Sequence, residues 1–309
     1  MRAFFDSLLL ENEGEAFIRE EKVDMALRRL VPGAHLTKGD CSYVAYAEQR
    51  DLVWNHMDQA HRPLLHRTYG EAMRVAIGKR SAFSMTRFGG LPIVIPVFDG
   101  YFRENAFYQV LCILGLFVIV NVIECQETDQ GTRMRISWTI ASHRFLRFMH
   151  PMFNRRLRRL NDIQNPEDDV IRHRRVELRA AGYRFGSDEP DFFNSNVISN
   201  NVVFPPLTVA RDFDISDIGQ QQTKRIDLGD RAFVVRRKSD ALEVWPGVCP
   251  HEGASLTEGD VCGGSVKCPW HGLEFAARTL SPDGSAISMC GARLKLSDGK
   301  LHVSPAART

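Results

Sequence analysis

The chain has 309 residues, of which 44% are hydrophobic and 25% charged, with a formal net charge of +2. That length allows two modest domains or one large one, and the composition is that of an ordinary globular protein. The near-neutral balance, without a basic stripe interleaved with aromatics, excludes a nucleic-acid-binding reading.

The opening segment "MRAFFDSLLLENEGE" has neither the length nor the small-residue cleavage site of a secretory signal. Seven cysteines without such a signal point to a reducing, cytoplasmic setting, with thiols that are free or metal-bound. Helical periodicity covers roughly Asn12 to Leu30 and Glu48 to Gly78. Strand-like runs come next: "SAFSMTRF", "LPIVIPVF", the long "FYQVLCILGLFVIVNVIEC" and "RMRISWTIAS". The most apolar stretch, Val110 to Ile123, is too short for a membrane helix, which needs about 20 apolar residues, and reads as a buried strand. A charged helical region extends from about His143 to Gly182, and its basic run "RRLRR" reads as a solvated face. Helices, then an antiparallel sheet, then a long helix define an α+β domain over residues 1–205, able to enclose a deep apolar cavity. Asn and Pro between Ile198 and Val209 mark a linker, and residues 206–309 carry short strands separated by Gly, Asp and Ser turns, an all-β domain.

Two stretches carry chemistry. The first, "CPHEGASLTEGDVCGGSVKCPWHGLEF", places Cys249 and His251 on one Gly-containing loop and Cys268 and His271 on another. Two thiolates and two imidazoles at this spacing suit either a tetrahedral Zn²⁺ or a two-iron, two-sulfide cluster with mixed Cys/His ligation. The second, "WNHMDQAHRPLLH", contains Asn55, His56, Asp58, His61 and His66. Asp58 and His61, three apart, share a helix face, so the carboxylate can reach the imidazole. His61 and His66, five apart, share no face of a straight helix; one metal can join them only if the helix breaks, and Pro63 lies between them.

The flanks of the first stretch, with Pro after each Cys, Gly soon after each His and an aromatic between Cys268 and His271, resemble a Rieske [2Fe-2S] ferredoxin domain, covering about Leu207 to Ala307. Ala254 and Trp270 stand where respiratory Rieske proteins carry disulfide cysteines, so the resemblance is to the low-potential type found in ring-hydroxylating oxygenases and soluble ferredoxins. Cys41, Cys112, Cys125, Cys262 and Cys290 are taken as packing residues. Beside such a domain, the D-x-x-H-x-x-x-x-H pattern resembles the mononuclear-iron site of Rieske non-haem iron oxygenases. The resemblance implies an N-terminal helix-grip (START-like) catalytic domain, with Fe(II) held by His61, His66 and an acid from the "EDDVI" stretch. On a helical wheel Asp168 lies nearer the apolar face than Asp169, and the alternative role for either is complementing a helix dipole after Pro166. It further implies that Asp58 bridges electrons from His251 or His271 to His61, that Asn55 sits near the metal, and that His56 is structural.

The domain order is the reverse of the family's usual one. The resemblance implies an O₂-dependent hydroxylation, dealkylation or oxidative cyclisation of a small, mostly apolar substrate. A separate reductase or ferredoxin would supply electrons, no membrane span is expected, and the assembly would be a homo-oligomer, a trimer in the usual case. The rival reading is a non-catalytic ligand-binding domain fused to a Rieske electron-transfer ferredoxin.

Overall fold

The computed structural model describes residues 20–77, 81–88, 92–103, 105–188, 202–229, 231–259 and 261–306. The opening segment, the first part of the Asn12–Leu30 pattern and the linker's Ile198–Asn201 portion lie outside these residues. No helix among them is long and apolar enough to cross a membrane.

The chain falls into two compact units, the first ending at His173 among the described residues and the second beginning at Arg174. The sequence places this boundary at 205/206 instead. The difference has a packing cause: Leu178, Tyr183 and Phe185 bury their side chains in one cluster with Val202 and Val248, so this stretch belongs with the C-terminal unit.

The first unit is α+β, as expected. It begins with helix α1 (Glu20–Leu30) and strand β1 (Ala34–Ala45), followed by helix α2 (Gln49–Met57), a 3₁₀ turn (Gln59–His61) and the short helix α3 (Arg62–Leu65). Strands β2 (Tyr69–Ile77), β3 (Ser81–Phe88), β4 (Val94–Arg103), β5 (Ala106–Ile113), β6 (Phe117–Thr128) and β7 (Gly131–His143) come next, then helix α4 (His150–Ala180). The strands form one seven-stranded sheet, order β1-β7-β6-β5-β4-β3-β2, with every neighbouring pair antiparallel.

Three expectations change here. The helical pattern over Glu48–Gly78 ends at Leu65, and Tyr69–Ile77 is an edge strand. The long apolar run is a hairpin: Leu116 N–H donates to Ile113 C=O, with Leu114 at φ 54° and Gly115 at φ 69°. Two consecutive left-handed residues match the right-handed twist of the flanking strands. Pro166 lies inside α4, so Glu167, Asp168 and Asp169 sit mid-helix and helix-dipole complementation does not explain them. Side-chain amides support the carbonyls around it, with Asn161 Nδ2 donating to Leu157 C=O and Asn165 Nδ2 to Asn161 C=O, each at 3.0 Å.

Alternation along the strands divides the apolar residues between two faces. Tyr108, Val110, Val118, Val120 and Ala141 pack with Val23 and Leu27 of α1. The other face takes α4, where Trp138 Nε1 donates to Asn154 Oδ1 at 2.7 Å over Gly39 of β1. A Cβ at Gly39 would lie 2.5 Å from Trp138 Nε1 and press on Asn154 Oδ1. Gly39→Ala should therefore destabilise the protein by about 1–3 kcal/mol through overpacking, read by thermal or urea denaturation; an unchanged midpoint would show that the Trp138–Asn154 contact yields freely.

The second unit is β-rich, with four-stranded sheets built from Arg211–Asp214, Lys300–Pro305, Ala292–Ser297 and Ile287–Met289, and from Thr223–Asp227, Ala232–Lys238, Ala241–Pro246 and Arg278–Leu280. Their inward faces share a core that includes Phe233, Val235, Leu242, Val244, Leu294 and Leu301. A three-stranded sheet (Val261–Cys262, Ser265–Lys267, Glu274–Ala276) carries one clip loop.

Candidate metal centres

The two clip loops have the same backbone. Cys249 N–H donates to Ala254 C=O and Gly253 N–H to Cys249 C=O; Cys268 N–H donates to Leu273 C=O and Gly272 N–H to Cys268 C=O, all at 2.8–2.9 Å. Each closure needs a left-handed residue four places after the Cys, supplied by Gly253 (φ 89°) and Gly272 (φ 67°). Both cysteines are buried, and the His251 and His271 rings meet edge-on with Nδ1 atoms 3.3 Å apart. Sharing a proton with Cys249 holds Cys268 well below the ordinary thiol range, against the cost of burial. Two sulfurs and two Nδ1 atoms converging from twin loops fit the mixed ligand set of a [2Fe-2S] cluster. All five remaining cysteines are free; Cys125 is buried, but Cys262 is exposed and is not a packing residue.

In the first unit, α2 ends at Asp58, whose Oδ1 accepts from Ala60 N–H and so starts the 3₁₀ turn. Its other oxygen lies 3.3 Å from His61 Nδ1. The helix thus breaks before His61, and Pro63 sits in the first turn of α3 instead of interrupting a longer helix. The effect is to bring together two imidazoles that a straight helix would separate: the rings are 5.4 Å apart at 65°.

Asp168 completes the set. Its Oδ1 is 3.4 Å from His61 Nε2 and 3.2 Å from His66 Nε2, and one potential ligand atom from each of the three residues lies within 4.8 Å of the others. Two imidazoles and a carboxylate converging on one point fit the donor set of a non-haem Fe(II) site. Asp169 points elsewhere, accepting from the Tyr43 hydroxyl. Three neighbours orient the donors. Glu167 Oε2 sits 3.0 Å from His66 Nδ1, Arg172 Nη2 donates to Asp168 Oδ2 at 3.1 Å, and Asn55 Nδ2 donates to Asp168 Oδ1 at 3.0 Å. Arg172 Nε in turn fixes the Asn55 amide by donating to its Oδ1 at 2.8 Å. Sequence reading missed Glu167 and Arg172, although the Asp168/Arg172 spacing is the i,i+4 pairing of a helix face.

These contacts set the electrostatics. Burial works against a charged Asp168, but the Arg172 guanidinium and the two imidazoles hold its carboxyl well below the usual range. Burial likewise opposes a charged His61, and Asp168 and Asp58 outweigh it, raising the imidazolium above its ordinary value.

A cavity of about 80 Å³ opens beside the three residues. Phe107, Ile123, Met134 and Ile136 line part of it; most of the lining is polar, including Arg62, Gln109, Asn121, Gln164 and Asn165. The Ile, Val, Leu and Phe content of the strands predicts an apolar cavity, but many of those side chains face α1. Beneath the cavity, Asp99 is buried between Arg62, which donates at 3.1 and 3.2 Å, and Gln109, which donates at 2.9 Å; Gln59 also donates to it. His56 Nε2 lies 3.3 Å from Asp99, and its ring packs on Phe107 at 4.1 Å, outside the histidine pair.

Burial would raise Asp99, but Arg62 and His56 push it far below 3.8. A carboxyl depressed in the folded state contributes stability above its unfolded pKa and loses it as pH falls towards its folded one. Wild type should therefore exceed Asp99→Asn in melting temperature at neutral pH, with the gap closing as pH drops below 3.8. A gap independent of pH would place the effect in packing alone.

Residues 208–287 match the family model of the Rieske [2Fe-2S] domain, and that part of the chain is such a domain. The sequence is 31% identical over 77 residues to the 3-chlorobenzoate-3,4-dioxygenase oxygenase subunit of Comamonas testosteroni, covering 25% of this chain and 17% of that protein. It is also 31% identical over 65 residues to human apoptosis-inducing factor 3, covering 21% and 11%. The chain therefore spans less than a fifth of the length of these curated relatives. Among solved structures, the di-domain aromatase/cyclase StfQ of the steffimycin biosynthetic pathway aligns with 10% identity and TM-score 0.41, covering 54% of this chain and 63% of its own. Norcoclaurine synthase from Thalictrum flavum aligns with 11% identity and TM-score 0.37, covering 45% and 95%.

Proposed function

We propose that the protein is a Rieske-type oxygenase, with a second iron centre in its first unit. The observation that carries this reading is the convergence of His61, His66 and Asp168 beside a cavity, in a chain that also contains a Rieske domain. A Rieske domain moves one electron at a time and needs a redox partner and an acceptor; a separate reductase or ferredoxin would be the donor.

Cys249, Cys268, His251 and His271 would hold the [2Fe-2S] cluster, which supplies single electrons. His61 Nε2, His66 Nε2 and Asp168 would hold Fe(II), which with three protein ligands supplies open positions for reductive activation of O₂. The chain's own groups keep those donors available. Glu167 faces the Nδ1 edge of His66, and Asp58 the Nδ1 edge of His61, leaving both Nε2 atoms to the metal. Arg172 engages one oxygen of Asp168 and leaves the other towards the histidines. Asn55, its amide fixed by Arg172, presents N–H at the same oxygen. By resemblance, Asp58 also delivers electrons to His61.

Hydroxylation, dealkylation and oxidative cyclisation are all within this chemistry. The test is turnover with a surrogate reductase under isotopically labelled O₂. An oxygenase incorporates label into product. Reduction of the cluster without any oxygenated product across a broad substrate panel would support instead a ligand-binding domain fused to an electron-transfer ferredoxin.

A further inference from the structure

Three residues on consecutive strands form one row across the sheet. Asp99 of β4 is the direct cross-strand partner of Gln109 of β5, and Gln109 that of Asn121 of β6, so all three side chains share a face. They are joined in order: Gln109 Nε2 donates to Asp99 Oδ1 at 2.9 Å, and Asn121 Nδ2 donates to Gln109 Oε1 at 3.1 Å.

The row has a direction. Asp99, held between the two terminal nitrogens of Arg62, is an ionised carboxylate that can only accept. Gln109 must then turn its NH₂ towards Asp99 and its oxygen towards Asn121. Asn121 must answer with its own NH₂, which leaves Oδ1 as the remaining polar atom. Asn121 lines the cavity, is only 8% exposed, and its Oδ1 is buried without a hydrogen-bond partner. A buried acceptor left unsatisfied costs about 1–3 kcal/mol, so this atom favours an incoming donor.

The two guanidiniums that line the cavity already face carboxylates, although Arg172 Nη1 makes no hydrogen bond. Arg62 binds Asp99 and the His56 carbonyl. Arg172 binds Asn55 and Asp168 and faces Asp169 at 3.5 Å. Among the described lining residues no other lysine or arginine is present to receive a carboxylate or phosphate.

We propose that the Asp99–Gln109–Asn121 row sets substrate choice: Asn121 Oδ1 accepts a hydrogen bond from a small, uncharged substrate bearing an N–H or O–H group. This substrate class rests on the cavity being the active site of the proposed oxygenase. It narrows the mostly apolar substrate that strand composition suggests to one carrying a hydrogen-bond donor. Asn121 is a specificity residue, and Asp99 and Gln109 act through it by fixing which way its amide points.

The test is binding to the full-length, cluster-loaded protein of matched pairs that differ in the donor: benzamide against acetophenone, and pyrrolidin-2-one against cyclopentanone. The amide of each pair should bind about tenfold or more tightly, although it is the more costly to desolvate. Asn121→Leu should abolish or reverse that ratio, and Asn121→Ala, which removes the acceptor without adding bulk, should do the same. Equal binding within the pairs, tighter binding of the ketones, no binding of either amide, or an unchanged ratio in Asn121→Leu overturns the proposal. Should Asn121→Leu fail to fold, the wild-type ratio and Asn121→Ala still decide. Iron content is counted separately on the same preparations. A donor preference with no iron beyond the cluster would sink the oxygenase and leave the binding rule standing; the third iron without the preference would do the reverse.

Discussion

His61→Ala should keep the full cluster spectrum but hold about two irons per chain where wild type holds about three, and its reductase-driven turnover should fall to background. The reason is geometric. Three donor atoms within 4.8 Å of one another make the site, and removing one leaves a histidine and a carboxylate that Arg172 already engages. Asp168→Asn should act in the same direction. Glu167→Gln should act more weakly, costing about 10- to 100-fold in iron affinity, because it orients His66 without itself being one of the three donors. Iron and protein assayed on anaerobically reconstituted samples give the answer. An undiminished third iron in His61→Ala would remove the proposed site from this part of the chain.

The second large effect concerns the Rieske unit. Arg175 is 0% exposed and Glu252, next to His251, is 2% exposed; Arg175 Nη1 meets Glu252 Oε2 at 2.6 Å. The guanidinium also lies 3.8 Å from the centre of the Phe185 ring. Arg175→Ala deletes the cation that faces a buried carboxylate and should cost about 3–5 kcal/mol. Because Glu252 stands in the first clip loop, the loss should be visible as bleaching of the cluster at lower temperature and lower denaturant than in wild type. A double variant, Arg175→Met with Glu252→Leu, should recover much of it, since a well-packed apolar pair often matches a buried ion pair. Equal stability of Arg175→Ala and wild type would show that water reaches the carboxylate and that the pair contributes little.

The clips were the most legible part of the chain because their chemistry is local. A four-ligand site on twin loops demands fixed Cys/His offsets and a left-handed closing residue, and Gly253 and Gly272 provide the latter. The strand "SAFSMTRF" was equally plain, and the structure places it at Ser81–Phe88. The hairpin within Phe107–Cys125 was not, since Leu114 and Leu116 give its turn the same apolar character as its strands. Nor was β1, whose "AHLTKGDCSYVA" mixes charge and Gly with only weak alternation and draws its stability from pairing with β7.

At the iron site, the residue types at 61 and 66 were readable, but the way they meet was not: the chain leaves the helix at Asp58, ahead of Pro63, because the Asp58 carboxylate caps a tighter turn. Asp168 was separated from Asp169 only by a small difference of helical angle. The tertiary contacts separate them fully, sending one to the histidines and the other to Tyr43. The polar row that reaches the cavity at Gln109 and Asn121 was invisible for a different reason. Asp99, Gln109 and Asn121 become neighbours only through strand register, which no local pattern encodes.

The central claim is that the first unit holds a ferrous ion with open coordination positions. Nitric oxide added anaerobically to the reduced, iron-loaded protein tests it most directly. The account predicts a high-spin iron–nitrosyl EPR signal of about one per chain, alongside the reduced-cluster signal, and its absence from His61→Ala and Asp168→Asn. A full cluster signal with no nitrosyl species in the wild-type protein would contradict it.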